Sequence, residues 1–270
     1  MNFIPDRFKD KVMVITGAAG GICREMALRA AKEGALLICA DRKVELSAKT
    51  EAELKEINPK VKFIVTDVQY FENCKSIVDA AIEMYGRIDI LVNGAGIIGE
   101  PGSVDRMSEE MLHEVIGCNL YSQFAMSHYA FPHMMAAKQG VVLNFASVAG
   151  MTGFPGNCAY VASKHAVVGL SRNMALDGAK FGIRVNSISP GTTLTPMYDE
   201  ALAFLRRRAI ERKSQGLEAM DQMLGFKIHS PQGRGAQAEE VSNVALYLCS
   251  DECSNVTGAN LPVDGGFTTF

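Results

Sequence analysis

Short apolar runs alternate along the chain with longer stretches in which apolar residues recur at helical spacing. Helical patterns such as REMALRAAKEGA from Arg24 and VSNVALYLCSD from Val241 separate the runs. Strands that are apolar throughout are typical of parallel sheets buried on both faces, so the pattern predicts an α/β fold, a doubly wound parallel sheet with helices on both faces. The predicted strands are VMVIT from Val12, LLICAD from Leu36, KFIVTD from Lys62, IDILVNGAG from Ile88, GVVLNFAS from Gly140, IRVNSISP from Ile183 and NLPVDGG from Asn260.

The domain organisation follows from what interrupts this alternation. The sequence has no Pro/Ser-rich linker, internal repeat or low-complexity tract, so we predict a single domain over residues 1–270. The segment from about Thr195 to Gln232 departs from the rhythm, because it has a helical pattern without a strand. We interpret this segment as a helical lid over a substrate site.

Composition and charge exclude several classes of partner. The chain is 48% apolar with a net charge of -3, and it lacks the strongly basic character of a nucleic-acid-binding domain. It contains no run of roughly 18 apolar residues, so we expect no membrane span. The N-terminal MNFIPDRFKDK contains five charged side chains and lacks the apolar centre of a secretory signal, so we expect a cytoplasmic protein.

The cysteines and histidines show no metal-binding pattern. The seven cysteines are scattered without a CxxC pair, and the five histidines have no ligand spacing. We therefore expect reduced, mostly buried thiols, no disulfide framework and no metal site.

The stretch VITGAAGGIC, residues 14–23, has the pattern of a strand, a glycine-rich turn and the start of a helix. In a dinucleotide-binding turn, glycines permit a tight bend close to the pyrophosphate, and the helix N-terminus offers N–H groups to the phosphates. Gly17 and Gly21 suit these roles, although such turns also serve simple packing. Cys23 stands where a third glycine is usual. Its thiol is either an inert packed group or an exposed and reactive group near a helix N-terminus.

Asp41 strengthens the dinucleotide interpretation. It lies 20 residues beyond Gly21 at the end of the second predicted strand, where a carboxylate can accept hydrogen bonds from ribose hydroxyls. The same carboxylate would repel the 2′-phosphate of NADP. Arg42 is the counter-argument, because a guanidinium could bind that phosphate. We predict NAD as the cofactor in preference to NADP.

A second group of residues has catalytic potential. Ser147 follows an apolar strand, and Tyr160 and Lys164 share one face of a predicted helix. A tyrosine acting as a general base near neutral pH needs a pKa about 3 below its usual value near 10, equivalent to ~4 kcal/mol. A positive charge about 4 Å away supplies that amount at an effective dielectric constant of about 20. The alternative for an isolated Tyr-x-x-x-Lys match is ordinary helix surface.

Taken together, the motifs resemble the classical short-chain dehydrogenase/reductase family over essentially the whole chain, from about Phe8 to Phe270. The resemblance implies a cofactor-binding half over about 8–140 and a catalytic half over about 141–270. It also implies a homotetramer built partly on helices around Glu109 to Ala137 and Asn157 to Phe181. The matching motifs are TGAAGGIC, NGAG at 93–96, Asn119 in GCNL, Ser147, Tyr160 with Lys164, and SPGTTLT at 189–195.

The resemblance also implies four catalytic roles. Ser147 would hydrogen-bond the substrate oxygen, and Tyr160 would donate or accept the proton. Lys164 would lower the pKa of Tyr160 and bind the nicotinamide ribose. Asn119 would hold a water that connects Lys164 to solvent.

The cofactor-binding residues implied by the resemblance come from every part of the chain. Two positions depart from the family pattern: Cys23 replaces the third glycine, and Gly94 replaces a second asparagine that usually stabilises the central strand. The implied cofactor-binding residues are Gly17, Gly21, Ile22, Asp41, Arg42, Asp67, Val68, Asn93, Gly96, Tyr160, Lys164, Pro190, Gly191 and Thr195.

These residues predict an NAD-dependent oxidoreductase acting on a secondary alcohol or ketone, with an alicyclic or hydroxysteroid-like substrate. The alternatives are a 3-oxoacyl-type reductase and a non-catalytic NAD-sensing protein. Apolar residues in the lid could line a ring-shaped substrate or serve helix packing. They are Leu217, Met220, Met223, Leu224 and Phe226. The nearby basic run is typical of a solvated helix face, and the alternative is a binding site for an anionic substrate tail. It consists of Arg206, Arg207, Arg208, Arg212 and Lys213.

Overall fold

The computed structural model describes residues 4–214 and 230–269. Within these ranges the strands are β1 (Val12–Thr16), β2 (Leu36–Asp41), β3 (Lys62–Val65), β4 (Ile90–Asn93), β5 (Gly140–Phe145), β6 (Ile183–Pro190), β7 (Thr193–Leu194), β8 (Ala236–Gln237) and β9 (Asn260–Val263). The helices are α1 (Gly21–Lys32), α2 (Val44–Ile57), α3 (Phe71–Tyr85), α4 (Glu109–Ile116), α5 (Ser122–Ala137), α6 (Cys158–Ala179), α7 (Pro196–Ser214) and α8 (Ala238–Cys249).

Seven strands form one parallel sheet in the order β3-β2-β1-β4-β5-β6-β9, and β7 pairs with β8 in a separate two-stranded sheet. This arrangement confirms the predicted doubly wound α/β fold. The chain starts at β1 in the interior, winds outward to β3 and returns to β4 on the other side of β1. Neighbouring connections therefore leave in opposite directions between β1 and β4, and a crevice opens there at the carboxyl ends of the strands.

The sheet separates two apolar cores. On one face, Met13 and Ile15 of β1 pack with α1 and α8, and on the other face Val14 packs with residues of α3, α5 and α6. This alternation follows from the period of two along a strand. β3 lies at the edge of the sheet, where Lys62 and Val65 are exposed, so it departs from the expectation of full burial.

The helical stretch expected around Glu109 to Ala137 is interrupted. A single wide turn of π-helix at Gly117–Tyr121 separates α4 from α5 and contains Asn119. Such turns occur often at functional sites because they change the direction of the backbone within a helix. The predicted lid begins as α7, and residues 215–229 lie outside the described residues.

The described part of the chain contains no helix that is long and apolar enough to cross a membrane. Within the same residues, no group of three or more His, Cys, Asp or Glu side chains clusters as metal ligands would. All seven cysteines are free thiols, and Cys158 is the one that is not fully buried.

Burial of the thiols predicts alkaline destabilisation. Burial raises the pKa of Cys23, Cys74 and Cys249 from 9.0 to about 12, and that of Cys118 to about 11. Between pH 9 and the native pKa, the unfolded chain loses thiol protons that the native protein retains. The contribution of each buried thiol to the free energy of unfolding is therefore fully present below pH 9 and is lost as the pH rises toward the native pKa. In this range each buried thiol lowers the free energy of unfolding by about 1.4 kcal/mol per pH unit.

Urea unfolding of the parent protein and of Cys249→Ala between pH 8 and 10.5 measures this effect. We expect the free energy of unfolding to fall less steeply with pH in the variant. Equal slopes in the two proteins would contradict the assignment.

Candidate active site

The predicted site residues converge on the carboxyl edge of the sheet. Gly17 follows β1, Asp41 ends β2, and Ser147 follows β5. Ser147 caps a short 3₁₀ turn at Val148–Gly150. Tyr160 and Lys164 lie in the first two turns of α6, which begins at Cys158. The parallel arrangement brings these residues together because all the strand ends involved lie at one edge.

The glycine-rich turn has a backbone that requires glycine at two positions. Gly17 has φ +72°, and a Cβ there would lie 2.8 Å from the Ala95 nitrogen. Gly21 has φ +56°, and a Cβ there would contact Cγ2 of Thr195 at 3.3 Å. Both angles lie in the left-handed region that glycine adopts most readily. The turn thus packs closely against the segment after β4 and the loop before α7.

Helix α1 begins directly at this turn. Among the described residues, no side chain caps its first turn, and that turn contains no acidic residue. The first N–H groups of a helix lack partners inside the helix and carry partial positive charge, so they suit an anion. Ile22 is half-buried and packs against the first core. A cavity of about 310 Å³ lies beside the turn, between α2 and the segment from Leu194 to Pro196.

A second cavity, of about 370 Å³, lies at the opposite edge among residues such as Phe8, Arg184 and Thr257. It is distant from the predicted catalytic residues, since it borders the starts of β4, β5 and β6. One of its charged groups, Arg184, donates to the carbonyls of Leu248 and Ser250. The carboxyl edge therefore remains the candidate active site.

The Asp41 carboxylate is held against the glycine-rich turn. Its two oxygens accept hydrogen bonds from the backbone nitrogens of Ala19 at 3.1 Å and Lys43 at 3.0 Å. Arg42 is directed toward other carboxylates, with Asp67 at 3.8 Å and Glu114 at 3.7 Å. These contacts compete with any phosphate for the guanidinium.

Asp67 and Val68 form the turn between β3 and α3. Asp67 accepts a hydrogen bond from the Gln69 nitrogen at 3.0 Å, and its own carbonyl accepts one from Asn73 Nδ2 at 2.8 Å. Val68 is buried. Hydrogen bonds thus fix this turn at the carboxyl end of β3, and its contact with the cofactor stays a prediction.

The side chain of Asn93 lies in the core rather than in the crevice. Its Nδ2 donates to Asn144 Oδ1 at 2.9 Å and to Ser127 Oγ at 3.1 Å, which links β4 to β5 and α5. Any contact with a cofactor would therefore have to come from the backbone. Gly96, from the same motif, does face the catalytic residues, since a Cβ there would lie 3.2 Å from Asn119 Oδ1 and 3.4 Å from Lys164 Nζ.

The two departures from the family pattern touch each other. A Cβ added at Gly94 would overlap the Sγ atom of Cys23, so the thiol occupies the space that an ordinary residue at 94 would need. The expectation that Gly94 weakens the central strand is incomplete, because Cys23 fills part of that space and Asn93 links the strands. The alternative of an exposed, reactive Cys23 is wrong, because the thiol is buried and burial raises its pKa to about 12.

Among the predicted catalytic residues, Lys164 is more enclosed than Ser147 and Tyr160. Its side chain is buried, with the residue 3% exposed, and Nζ donates a hydrogen bond to the Phe145 carbonyl at 2.8 Å. Nζ also lies 5.6 Å from the centre of the Tyr160 ring. Ser147 is buried too, and its Oγ accepts a hydrogen bond from the Ala149 nitrogen at 3.1 Å.

Burial dominates the electrostatics of Tyr160 and Lys164. Burial raises the pKa of Tyr160, and a hydrogen bond with the Ser147 side chain acts in the opposite direction. Burial also lowers the pKa of Lys164 from 10.5 to about 8. Burial is the larger influence on Tyr160 because the phenolate loses its solvation, and the lowering of the Tyr160 pKa by Lys164 stays a prediction.

The side chain of Asn119 is engaged entirely with protein. Its Oδ1 accepts from the Ile97 nitrogen at 2.8 Å, and its Nδ2 donates to the Ile97 carbonyl at 2.9 Å and to Ser163 Oγ at 3.0 Å. Both amide hydrogens are therefore used. A water held beside Lys164 would bind either the second lone pair of Oδ1 or the main chain of the π turn.

The loop after β6 completes the edge. The Gly191 nitrogen donates to the Val263 carbonyl at 3.0 Å, and a Cβ at Gly191 would lie 2.8 Å from Asp264 Cα. Thr195 Oγ1 accepts a hydrogen bond from the Tyr198 nitrogen at 3.4 Å and so begins α7. Pro190, at the end of β6, pairs with Val263 in the sheet.

Sequence reasoning missed three participants. The Phe145 carbonyl holds Lys164, Ser163 holds Asn119, and Gly150 allows close packing, since a Cβ there would lie 2.6 Å from the Lys164 carbonyl. Ser163 could have been found from its position next to Lys164. The acceptor at Phe145 is the main-chain carbonyl, which every residue has, so the residue type at this position does not indicate the role.

Part of the predicted lid lies outside the described residues. This applies to the apolar positions of the predicted wall, whereas Arg206 and Arg207 lie on α7 and are exposed. The positions outside the described residues are Leu217, Met220, Met223, Leu224 and Phe226.

Comparison with known proteins assigns this arrangement to a family. A family model described as enoyl-(acyl carrier protein) reductase matches residues 17–268. The 3beta-hydroxysteroid dehydrogenase of Mediterraneibacter gnavus is 39% identical to this chain, over 99% of this chain and 98% of that protein. The chain belongs to the classical short-chain dehydrogenase/reductase (SDR) family.

Two further SDR proteins show the same extent of similarity. The cyclohexanol dehydrogenase of an Acinetobacter species is 34% identical, over 98% of this chain and 97% of that protein. The crystal structure of an NAD+-bound xylitol dehydrogenase has a TM-score of 0.84 and 32% identity, over 96% of this chain and 99% of that chain. SDR enzymes use NAD or NADP, and this chain is an SDR oxidoreductase that acts on alcohols or ketones.

The contact between Cys23 and Gly94 predicts strong coupling between the two positions. We expect Gly94→Ala to destabilise the protein because its methyl group overlaps Cys23 Sγ, and Cys23→Gly to cost about 1 kcal/mol through the void it leaves. The double variant should recover part of the loss. Recovery is partial because the Thr16 carbonyl also lies 2.9 Å from a Cβ at 94.

A double-mutant cycle in urea unfolding measures this coupling. Gly153→Ala is the matched control, since an added Cβ there meets no described atom within 4 Å. Additive effects of the two substitutions would show that the thiol and Gly94 do not depend on each other.

Proposed function

We propose that this protein transfers a hydride between NAD(H) and a secondary alcohol or its ketone, with an alicyclic, hydroxysteroid-like compound as substrate. The observation that carries the proposal is the grouping of Ser147, Tyr160 and Lys164 around one corner of the crevice. Lys164 Nζ lies 5.6 Å from the Tyr160 ring centre, and a hydrogen bond with the Ser147 side chain partly offsets the rise in the Tyr160 pKa that burial causes. Every catalytic position of the family motif is occupied.

The residues around the crevice fit a nicotinamide dinucleotide. Gly17 and Gly21 would let the pyrophosphate approach the backbone, and the first turn of α1 with Ile22 would receive its charge. Asp41 would accept the ribose hydroxyls. Further binding positions in this proposal are Arg42, Asp67, Val68, the backbone of Asn93, Gly96, Tyr160, Lys164, Pro190, Gly191 and Thr195.

The oxidised nicotinamide, when bound, supplies the hydride acceptor for alcohol oxidation. Ser147 would orient the substrate oxygen, and Tyr160 would accept the hydroxyl proton as the carbon gives up its hydride, which leaves a ketone. In the reverse direction Tyr160 would return that proton. Lys164 would contribute a positive charge beside the phenol, and this charge favours the phenolate form that oxidation needs.

Asp41 supports NAD as the preferred cofactor. Its carboxylate is fixed by Ala19 and Lys43 beside the turn, where a 2′-phosphate would meet a negative charge. Arg42, the cation that could favour NADP, is engaged with Asp67 and Glu114. The solved structure of the similar xylitol dehydrogenase contains NAD+, which agrees with this preference.

The relatives support a ring-bearing substrate. The similar proteins include a 3beta-hydroxysteroid dehydrogenase and a cyclohexanol dehydrogenase, whose names both describe ring alcohols. We extend this substrate class to the present chain as part of the proposal.

We also propose a homotetramer that uses the outer faces of α5 and α6. Phe124 on α5 is 48% exposed and stacks on His128, and Leu176 on α6 is 78% exposed. Apolar side chains on adjacent helices suit a self-complementary interface.

The proton-transfer role predicts a clear loss in Tyr160→Phe. Cyclohexanol oxidation with NAD should fall at least about 1,000-fold, because removal of the base leaves only binding and hydride geometry. NAD binding measured by calorimetry should change little in this variant but weaken in Lys164→Ala, which is assigned two roles. Tyr129→Phe is the matched control. Substantial oxidation by Tyr160→Phe would assign the proton transfer to another group.

The role of Asp41 predicts the cofactor preference. The parent protein should have a higher kcat/KM for NAD than for NADP, and Asp41→Ala should narrow the difference by removing the repulsive charge. Glu45→Ala, in the first turn of α2, controls for a change in net charge alone. Equal use of both cofactors by the parent would contradict the assignment, and preference for NADPH with 3-oxoacyl thioesters would favour a 3-oxoacyl reductase.

The proposed assembly predicts a mass of about four times 29.2 kDa in sedimentation equilibrium. A charge in a buried apolar interface is costly, so Leu176→Lys should lower this mass. Val44→Lys is the control, because Val44 is 64% exposed on α2, outside the proposed interface. A monomeric parent protein would rule out the tetramer.

A further inference from the structure

Two phenylalanines from distant parts of the chain stack at the carboxyl edge of the sheet. The ring centres of Phe154 and Phe267 are 5.7 Å apart, and the ring planes differ by 13°. Both residues are half-buried, so each ring retains surface beyond the stack. Neither residue belongs to the catalytic or cofactor-binding positions described above.

Phe154 is positioned by the catalytic loop. It lies between Ser147 and Tyr160, and its carbonyl accepts a hydrogen bond from the Asn157 nitrogen at 3.3 Å. The loop is fastened to the segment after β4, since the Gly102 nitrogen donates to the Gly156 carbonyl at 2.8 Å. Phe154 is therefore held on the same stretch of chain that presents both catalytic hydroxyls.

Phe267 is positioned by the turn that follows β9. Asp264 closes this turn by accepting hydrogen bonds from the nitrogens of Gly266 and Thr268, each at 2.9 Å. The turn leans on the loop proposed to hold the nicotinamide, where Gly191 packs against Asp264. The stack thus connects the catalytic loop with the nicotinamide loop.

The segment that returns from the lid reaches the same turn. Ser230 Oγ donates to the Gly265 carbonyl at 3.0 Å, and the Gln232 nitrogen donates to it at 3.4 Å. Three segments therefore meet beside the two rings: the catalytic loop, the nicotinamide loop and the end of the lid. This junction lies at the same edge of the sheet as Ser147 and Tyr160.

We propose that Phe154 and Phe267 determine specificity by presenting a joint aromatic surface to the apolar ring of the substrate. This inference rests on the proposed function and deepens it. Aromatic side chains bury a large apolar area at little entropic cost. The ring of a cyclic substrate is rigid, so its contact area on these side chains requires no loss of internal freedom. An open-chain alcohol with the same number of carbons loses internal freedom when it packs on the same surface, so the pair favours the cyclic compound.

Cyclohexanol and hexan-2-ol, which both contain six carbons, provide the test. We expect the ratio of their kcat/KM values to fall about tenfold in Phe154→Ala and in Phe267→Ala, mainly through a higher KM for cyclohexanol. The Leu variants at both positions should show a smaller fall, because they retain apolar volume without an aromatic face. NAD affinity, measured by calorimetry, should remain within about twofold of the parent.

Phe181→Ala controls for a general loss of stability. Phe181 is a half-buried phenylalanine that packs against the second core and precedes β6, at the opposite edge of the sheet. Its substitution should leave the substrate ratio unchanged even if unfolding becomes easier. If the ratio of kcat/KM values fell in Phe181→Ala as well, a general loss of stability would explain the effects at Phe154 and Phe267. That result would overturn the proposal.

The outcomes distinguish this inference from the proposed function. Oxidation of both alcohols with an unchanged ratio in the phenylalanine variants would overturn the aromatic pair alone. Absence of oxidation by the parent protein would contradict the proposed substrate class. In that case, calorimetric titration of the NADH-loaded parent and variants with cyclohexanone still tests the pair. Equal cyclohexanone affinity in the parent and the variants, or no binding to any of them, would overturn the pair.

Discussion

The hydrogen bond from the buried ammonium group of Lys164 to the Phe145 carbonyl is the contact on which the candidate active site depends. A charge removed from water is costly unless polar partners compensate, so Lys164 fixes the positions of the groups around it. Its hydrogen bond to Phe145 joins α6 to the end of β5, and Gly150 lets the intervening turn pack on the Lys164 backbone. Gly96 leaves room for Nζ from the other side. Tyr160 is thereby held at a defined distance from the Lys164 ammonium group.

The sheet topology supplies the place where this contact becomes useful. β1 and β4 are neighbours, but the connections that follow them run to opposite sides. The resulting crevice separates the glycine-rich turn from the catalytic loop by the width of the central strands. A long ligand with a phosphate region and a reactive ring can therefore occupy both ends of one crevice.

Departures from the family motifs illustrate how packing compensates locally. Cys23 and Gly94 each appear unfavourable when considered alone, since one adds a side chain and the other removes one. In space the two changes offset each other, because the thiol fills the volume beside Gly94. Considered one position at a time, Cys23 and Gly94 count as two unfavourable changes. In the structure they form one contact, in which one change compensates for the other.

Local chemistry explains why much of this protein could be predicted from its sequence. Strands β1, β2 and β6 have their predicted bounds, because apolar runs and glycine or proline boundaries act over a few residues. Tyr160 and Lys164 were recognisable because helical spacing alone places them on one face. Other features needed the tertiary structure, because they depend on residues distant in the chain: Asn93 turns into the core, Phe145 holds Lys164 through a carbonyl, and Phe154 meets Phe267. Burial decided the pKa directions of Tyr160 and Lys164, since the loss of solvation depends on everything packed around a group and not on its neighbours in sequence.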